Sequence, residues 1–101
     1  MNRVESMVVD KLFAQCRKRG WEFRGIHDDD EPYYGVSQGE AITLLHNLDE
    51  AWLTFYKGEV YAYVFLVFGN SGWDVVCDYA LAGGFKEEVM NVVNEYAETF
   101  A

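Results

Sequence analysis

Positive charge almost disappears from this chain after Arg24, with only Lys57 and Lys86 beyond it. Residues 1–26 hold six bases against three acids, whereas residues 27–101 hold two bases against fourteen acids, and the whole carries a formal charge of −9. A surface of that sign repels phosphate, which argues against direct binding to DNA, RNA or anionic membranes. Cysteine is also scarce. Cys16 and Cys77 form no CxxC pair and each falls on an apolar stripe, so both are expected as buried free thiols in a reducing compartment. Long apolar runs are missing too. The longest, Val60–Phe68, is nine residues, against about 20 for a membrane helix. The opening Met1–Glu5 carries no apolar signal core. The expectation is a cytoplasmic protein.

The chain of 101 residues is half apolar and 17 % aromatic, enough to build the core of one domain, residues 1–101, without metal or disulfide staples. Val4, Val8, Val9, Leu12, Phe13 and Cys16 share one helical face, and Arg17, Lys18 and Arg19 suit the negative end of that helix. Ser37 and Glu40 match a capping box, followed by Ala41, Leu44, Leu45 and Leu48 on one face. Phe85, Val89, Val92, Val93, Tyr96 and Phe100 mark a last amphipathic helix. Between the second and last helices, Trp52–Tyr56 and Val60–Phe68 flank the turn Lys57–Glu59 and read as a hairpin. The second strand is apolar on both faces and is expected to be covered on both, at least in part. Trp73, Val75, Cys77 and Tyr79 then alternate with Asp74, Val76 and Asp78, giving a third strand with its acids outward. The fold class is therefore α+β: a three-stranded antiparallel meander, about 52–57, 60–68 and 73–79, packed with helices at about 4–19, 38–48 and 85–100. Within residues 21–36, Trp21–Ile26 alternates weakly and is compatible with a short strand, but the whole segment is read as a long surface loop, a length that in a compact domain points to binding.

Catalytic and metal chemistry find little support in these residues, and no cofactor is expected. The run His27-Asp28-Asp29-Asp30-Glu31 lacks the spaced acids and glycine of a calcium loop. A cysteine nucleophile would need a base, and His27 and His46 are the two histidines. Asp74 and Asp78 on one strand face would stand roughly 13 Å apart, too far for paired acid/base work. Gly69-Asn70-Ser71-Gly72 lacks the lysine and the following helix of a phosphate loop.

A short acidic chain without a catalytic set, the segment Phe68-Gly69-Asn70-Ser71-Gly72-Trp73-Asp74-Val75-Val76-Cys77-Asp78-Tyr79 and the final amphipathic helix together resemble small accessory proteins encoded by bacteriophages and prophages. The resemblance implies a protein that binds, redirects or inhibits a host protein, as anti-restriction and anti-CRISPR factors do. It carries over no site residues. The resulting expectation is a non-enzymatic module whose acidic face meets a basic protein, such as a nucleic-acid-binding one, in the manner of a DNA mimic. Asp28, Asp29, Asp30, Glu31, Asp74 and Asp78 would supply the charge and Tyr33 and Tyr34 the anchors. Two other readings stand beside it. One is a small-molecule or metal pocket lined by Trp21, His27, Tyr33 and Tyr34. The other is a homodimer or larger homo-oligomer joined through Tyr61, Tyr63, Phe65 and Val67, if they form an uncovered face.

Overall fold

A computed structural model describes residues 1–27, 32–80 and 83–101. Helix α1 (Arg3–Lys18) opens the chain and is followed by β1 (Glu22–His27), β2 (Pro32–Tyr34), α2 (Gln38–Leu45), β3 (Glu50–Lys57), β4 (Val60–Val67) and β5 (Val76–Ala80). A π-helical turn, Lys86–Met90, leads into α3 (Asn91–Glu98). The five strands form one antiparallel sheet in the order β2-β1-β3-β4-β5. The architecture is α+β, as the element pattern implies, but the meander of three strands is part of a sheet of five. The stretch expected as a loop supplies the other two. Its alternation is hard to read because the ladder slips between Phe23 and Gly25, leaving Arg24 as an extra residue. Strand β2 is three residues long and begins with Pro32, a position that an edge strand tolerates.

The helices lie against one face of the sheet. Phe13 of α1 meets Phe23 and Phe55 edge-on, with ring centroids 5.0 and 5.5 Å apart, and Phe55 also stacks on Phe85 at 6.1 Å. Ile26, Leu53, Ala62, Val64 and Leu66 complete that face at 0 % exposure. Among the described residues, strand β4 thus lies inside the sheet yet is covered on one face, not on both. The third strand also departs from expectation. Residues 73–74 turn, pairing begins at Val76, and the register shifts so that Phe65 faces Asp78 while Leu66 faces Val76. Cys77 is the bulged residue and is exposed, and Trp73 is 40 % exposed, whereas the simple alternation places both inward. Cys16 is buried as expected, and burial pushes its thiol pKa far up, which leaves it unreactive.

Capping fixes the helix starts. Ser37 Oγ accepts from Glu40 N–H and Glu40 Oε1 accepts from Ser37 N–H, the expected capping box. A second box, not anticipated from the sequence, starts α1: Asn2 N–H donates to Glu5 Oε1 at 2.6 Å and Glu5 N–H donates to Asn2 Oδ1 at 2.8 Å. Glu5 is 1 % exposed and its Oε2 accepts from Gly69 N–H at 2.8 Å, so one carboxylate ties the helix start to the turn after β4. The π turn matters for the last helix. It brings Val89, Met90, Val93 and Ala97 inward with Phe85 and leaves Val92, Tyr96 and Phe100 half-buried. Gln15 Nε2 donates to Glu88 O at 2.9 Å, satisfying a carbonyl of that turn. Replacing Glu5 by Ala is expected to cost about 2–4 kcal/mol in urea unfolding, since a cap and a buried charged acceptor are lost together. Glu5→Gln, with one acceptor oxygen left, is expected to lose roughly half as much.

Candidate functional site

Strand residues alternate between faces, so every second residue of β1, β3, β4 and β5 points away from the helices. Three cross-strand rows result. His27, Trp52, Phe65 and Asp78 are successive partners across β1, β3, β4 and β5. Within this row the His27 and Trp52 rings stack at 6.4 Å and 11°, and Trp52 stacks on Phe65 at 4.7 Å and 29°. The next row is Gly25, Thr54, Tyr63 and Ala80, with Tyr34 beside Gly25 on β2. The third is Glu22, Tyr56 and Tyr61. Tyr34 is 57 % exposed, Tyr63 40 % and Tyr61 39 %. Among the described residues no helix covers this face, and Trp52, Tyr56, Tyr61, Tyr63 and Phe65 stand apart from the hydrophobic core. Thr54 is nonetheless 4 % exposed, so its larger neighbours close over it and the face is a layer of packed rings.

Two local features build the β2 end of this surface. Gly25 has no side chain where one would not fit: a Cβ there would lie 2.5 Å from the Tyr33 carbonyl oxygen and 2.8 Å from Tyr34 Cδ1. That absence lets β2 close against β1 with the Tyr34 ring over it. The bulge at Arg24 places its guanidinium on the same face, 5.1 Å from the Tyr34 ring centroid and 5.5 Å from that of Tyr61. The carboxylates Glu22, Glu50 and Asp78 occupy outer positions of the face and are exposed. The charge of Glu22, and after it a hydrogen bond from the phenol to its carboxylate, raise the pKa of Tyr56.

The residues singled out in the sequence are distributed unevenly over this geometry. Asp28, Asp29, Asp30 and Glu31 lie outside the described residues. Tyr34 and Asp78 are on the uncovered face. Tyr33, adjacent to Tyr34, points the other way and packs against the core. Asp74 is not on a strand. It sits in the turn before β5, where its Oδ1 accepts from Gly72 N–H at 3.1 Å, so Asp74 and Asp78 do not share a strand face. The four residues of the pocket reading divide likewise, with Trp21 and Tyr33 on the helix side and His27 and Tyr34 on the open side. A cleft of about 660 Å³ does open beside Trp21, between the end of α1 and β1. Its aromatic walls are turned into the core, Phe13 against Phe23 and Phe55 and Trp21 against Phe85, and the Arg17 guanidinium at its rim donates to Gln38 Oε1. Trp21 Nε1 is buried among them without a hydrogen-bond partner among the described residues. Tyr61, Tyr63, Phe65 and Val67 were legible as one face of a strand, though not as an uncovered one, because the run is apolar on both sides. Arg24 and Trp52 were not, because the bulge and the stacking partners come from distant segments.

The bases at and after the first helix have other partners. Arg17 donates to Gln38, Lys11 sits on Tyr96, and Arg19 Nε at 3.6 Å and Lys57 Nζ of β3 at 2.8 Å flank Glu88 Oε2, the ion pairs found among the described residues. The carboxylates of the open face therefore are not locked to the bases of α1. Comparison with protein-family models, with curated proteins and with solved structures finds no match, and the function rests on this geometry.

Two measurements probe the arrangement. Gly25→Ala is expected to push β2 off the sheet edge, seen as loss of hydrogen-exchange protection at Gly35, whose N–H donates to the Arg24 carbonyl at 3.2 Å, without global unfolding. Glu88 has a pKa below its usual 4.5, first because Lys57 donates a hydrogen bond to it. A carboxyl depressed by folding stabilises the fold above its unfolded pKa, and that contribution fades as pH falls through the folded value. Glu88→Gln should therefore slightly lower stability at neutral pH and flatten the decline below 4.5, by urea unfolding at a series of pH values.

Proposed function

We propose that this protein is a non-enzymatic interaction module that docks the basic surface of another protein on its uncovered sheet face. The observation that carries the reading is the exposure of Tyr34, Tyr61 and Tyr63, at 57, 39 and 40 %, on a sheet face without a helix over it among the described residues. A continuous aromatic surface of this kind is costly to leave in water and is typical of interfaces. Tyrosine and tryptophan combine large area with few rotatable bonds, so little entropy is lost when a partner covers them.

The sign of the partner is set by charge. Glu22, Glu50 and Asp78 stand on the face against one guanidinium, Arg24, in a molecule of net −9, and residues 28–31 contribute four of its carboxylates. Two copies of this chain would bring like charges together, whereas a basic surface gains both steering and contact. Proteins that bind nucleic acid carry such surfaces, and a module seated there competes with the phosphate backbone. The homo-oligomeric reading uses the same aromatic face but meets this repulsion.

The expected behaviour is concrete. A protein retained from host lysate should bind the Tyr61→Ser/Tyr63→Ser double variant at least about tenfold more weakly, because central aromatic anchors dominate interface energy. The variant should keep its fold, checked by circular dichroism, since neither ring belongs to the core, with some loss of melting temperature from the missing cross-strand packing. Binding of the wild-type protein should also weaken as salt rises to about 0.5 M. Binding indifferent to both changes would overturn the proposal.

A further inference from the structure

Resting on that docking reading, we infer that the end of the stacked row, between the Phe65 ring and the Asp78 carboxylate, is a seat for an arginine side chain of the partner. His27, Trp52 and Phe65 form a continuous stack. Trp52, in its middle, has a ring on each side. Phe65, at its end, has Trp52 on one side, and its other side is directed towards β5. The β5 residues on this face are Asp78, opposite Phe65, and Ala80, opposite Tyr63. Both are small, so no large side chain of β5 continues the stack. What the row presents at this end is an aromatic face next to an exposed carboxylate.

Asp78 is held ready for a cation. Its Oδ1 accepts from Tyr79 N–H at 2.8 Å, which orients the group and leaves its second oxygen for an incoming donor. A guanidinium suits this pair of surfaces better than an ammonium does. It is planar and weakly hydrated, stacks on an aromatic ring, and still directs N–H groups in its own plane to a carboxylate. A lysine ammonium is strongly hydrated and meets the carboxylate as a point charge, without the flat contact. The same face already holds one guanidinium against its rings, Arg24 lying 5.1 Å from the Tyr34 centroid and 5.5 Å from that of Tyr61. In the row of Phe65, by contrast, the aromatic and acidic elements are present and the chain supplies no cation from β5. Arginine is also abundant on surfaces that hold phosphate backbones, the class of partner proposed above.

The test uses two blocked pentapeptides, Gly-Arg-Gly-Arg-Gly and Gly-Lys-Gly-Lys-Gly, titrated into the intact protein with the aromatic and amide resonances followed by NMR. The arginine peptide is expected to bind at least about threefold more tightly than the lysine peptide and to perturb Phe65 and Asp78 first. Phe65→Leu keeps an apolar side chain but removes the ring, and should bring the two peptides to equal affinity. Asp78→Asn, at an exposed position that folding does not depend on, should weaken both peptides and the arginine one more. Equal affinities in the wild-type protein, or an arginine preference that survives both substitutions, would sink the inference. If equal affinities come with shifts at Tyr61 and Tyr63, the docking face stands and the arginine seat alone falls. If no residue of the open face responds to either peptide, both fall.

Discussion

Phe55 is the contact on which the rest of this structure depends. Its ring is fully buried and touches Phe13 from α1, Phe23 from β1 and Phe85 from the start of the last helix. Four segments distant in sequence therefore meet at one side chain. Burying a residue of this size contributes roughly 1.5–3 kcal/mol, and removing it also opens a cavity that its neighbours cannot all fill. The junction also fixes which way the sheet faces. With Phe55 inward, Leu53 and Ala51 must be inward, and Trp52, Thr54 and Tyr56 must be outward. Pairing with β4 then sends Tyr61, Tyr63 and Phe65 to the same outer side. The uncovered aromatic face is a consequence of the core, because all the helical apolar faces are consumed on the other side.

The last helix shows how tightly the covered side is filled. A regular helix over 85–100 would put Phe85, Val89, Val92, Val93, Tyr96 and Phe100 on its apolar face. The extra residue in the π turn rotates the turns after it, so that Met90 and Ala97 become buried while Val92 and Tyr96 are half-exposed. Tyr96 then lies under Lys11 Nζ, 5.5 Å from the ring centroid, and against Phe100. The amide of Gln15 donates to the Glu88 carbonyl at 2.9 Å, tying the irregular turn to α1.

How much of this the sequence discloses depends on whether the governing contact is local. The β3–β4 hairpin was legible because its turn glycine, Gly58 at φ +63°, sits between two β-prone runs. The capping box at Ser37 was legible for the same reason, and Asn2 with Glu5 carries the equivalent local pattern. Strand β1 was obscured by a bulge and β2 by its brevity, and both are held by pairing with residues far along the chain. In β5 a bulge at Cys77 and a turn at Asp74 change the parity of the alternation, which no count of apolar residues reveals. At the candidate site, Tyr61, Tyr63 and Phe65 read as one strand face, but the apolar run around them pointed to cover on both sides and hid that this face is open. The separation of Tyr33 from Tyr34 comes from strand geometry once the strand is known. The position of Arg24 between two tyrosines required the tertiary fold.

The sheet has two ways to recruit another chain, along an edge or across a face, and its construction disfavours the first. Edge strand β2 is three residues long and starts with a proline, which has no N–H to offer. Edge strand β5 is interrupted by the bulge at Cys77, and the N–H of Tyr79 is taken by the Asp78 carboxylate. Added strands need a regular row of unpaired backbone groups, which neither edge supplies. The face has the opposite character. Its backbone is engaged in the ladder, its side chains are large and already stacked, and its charge is concentrated at the outer positions. Recognition by side chains on a rigid platform therefore fits this molecule better than recognition by backbone pairing, and it makes ring shape and charge sign the features that select the partner.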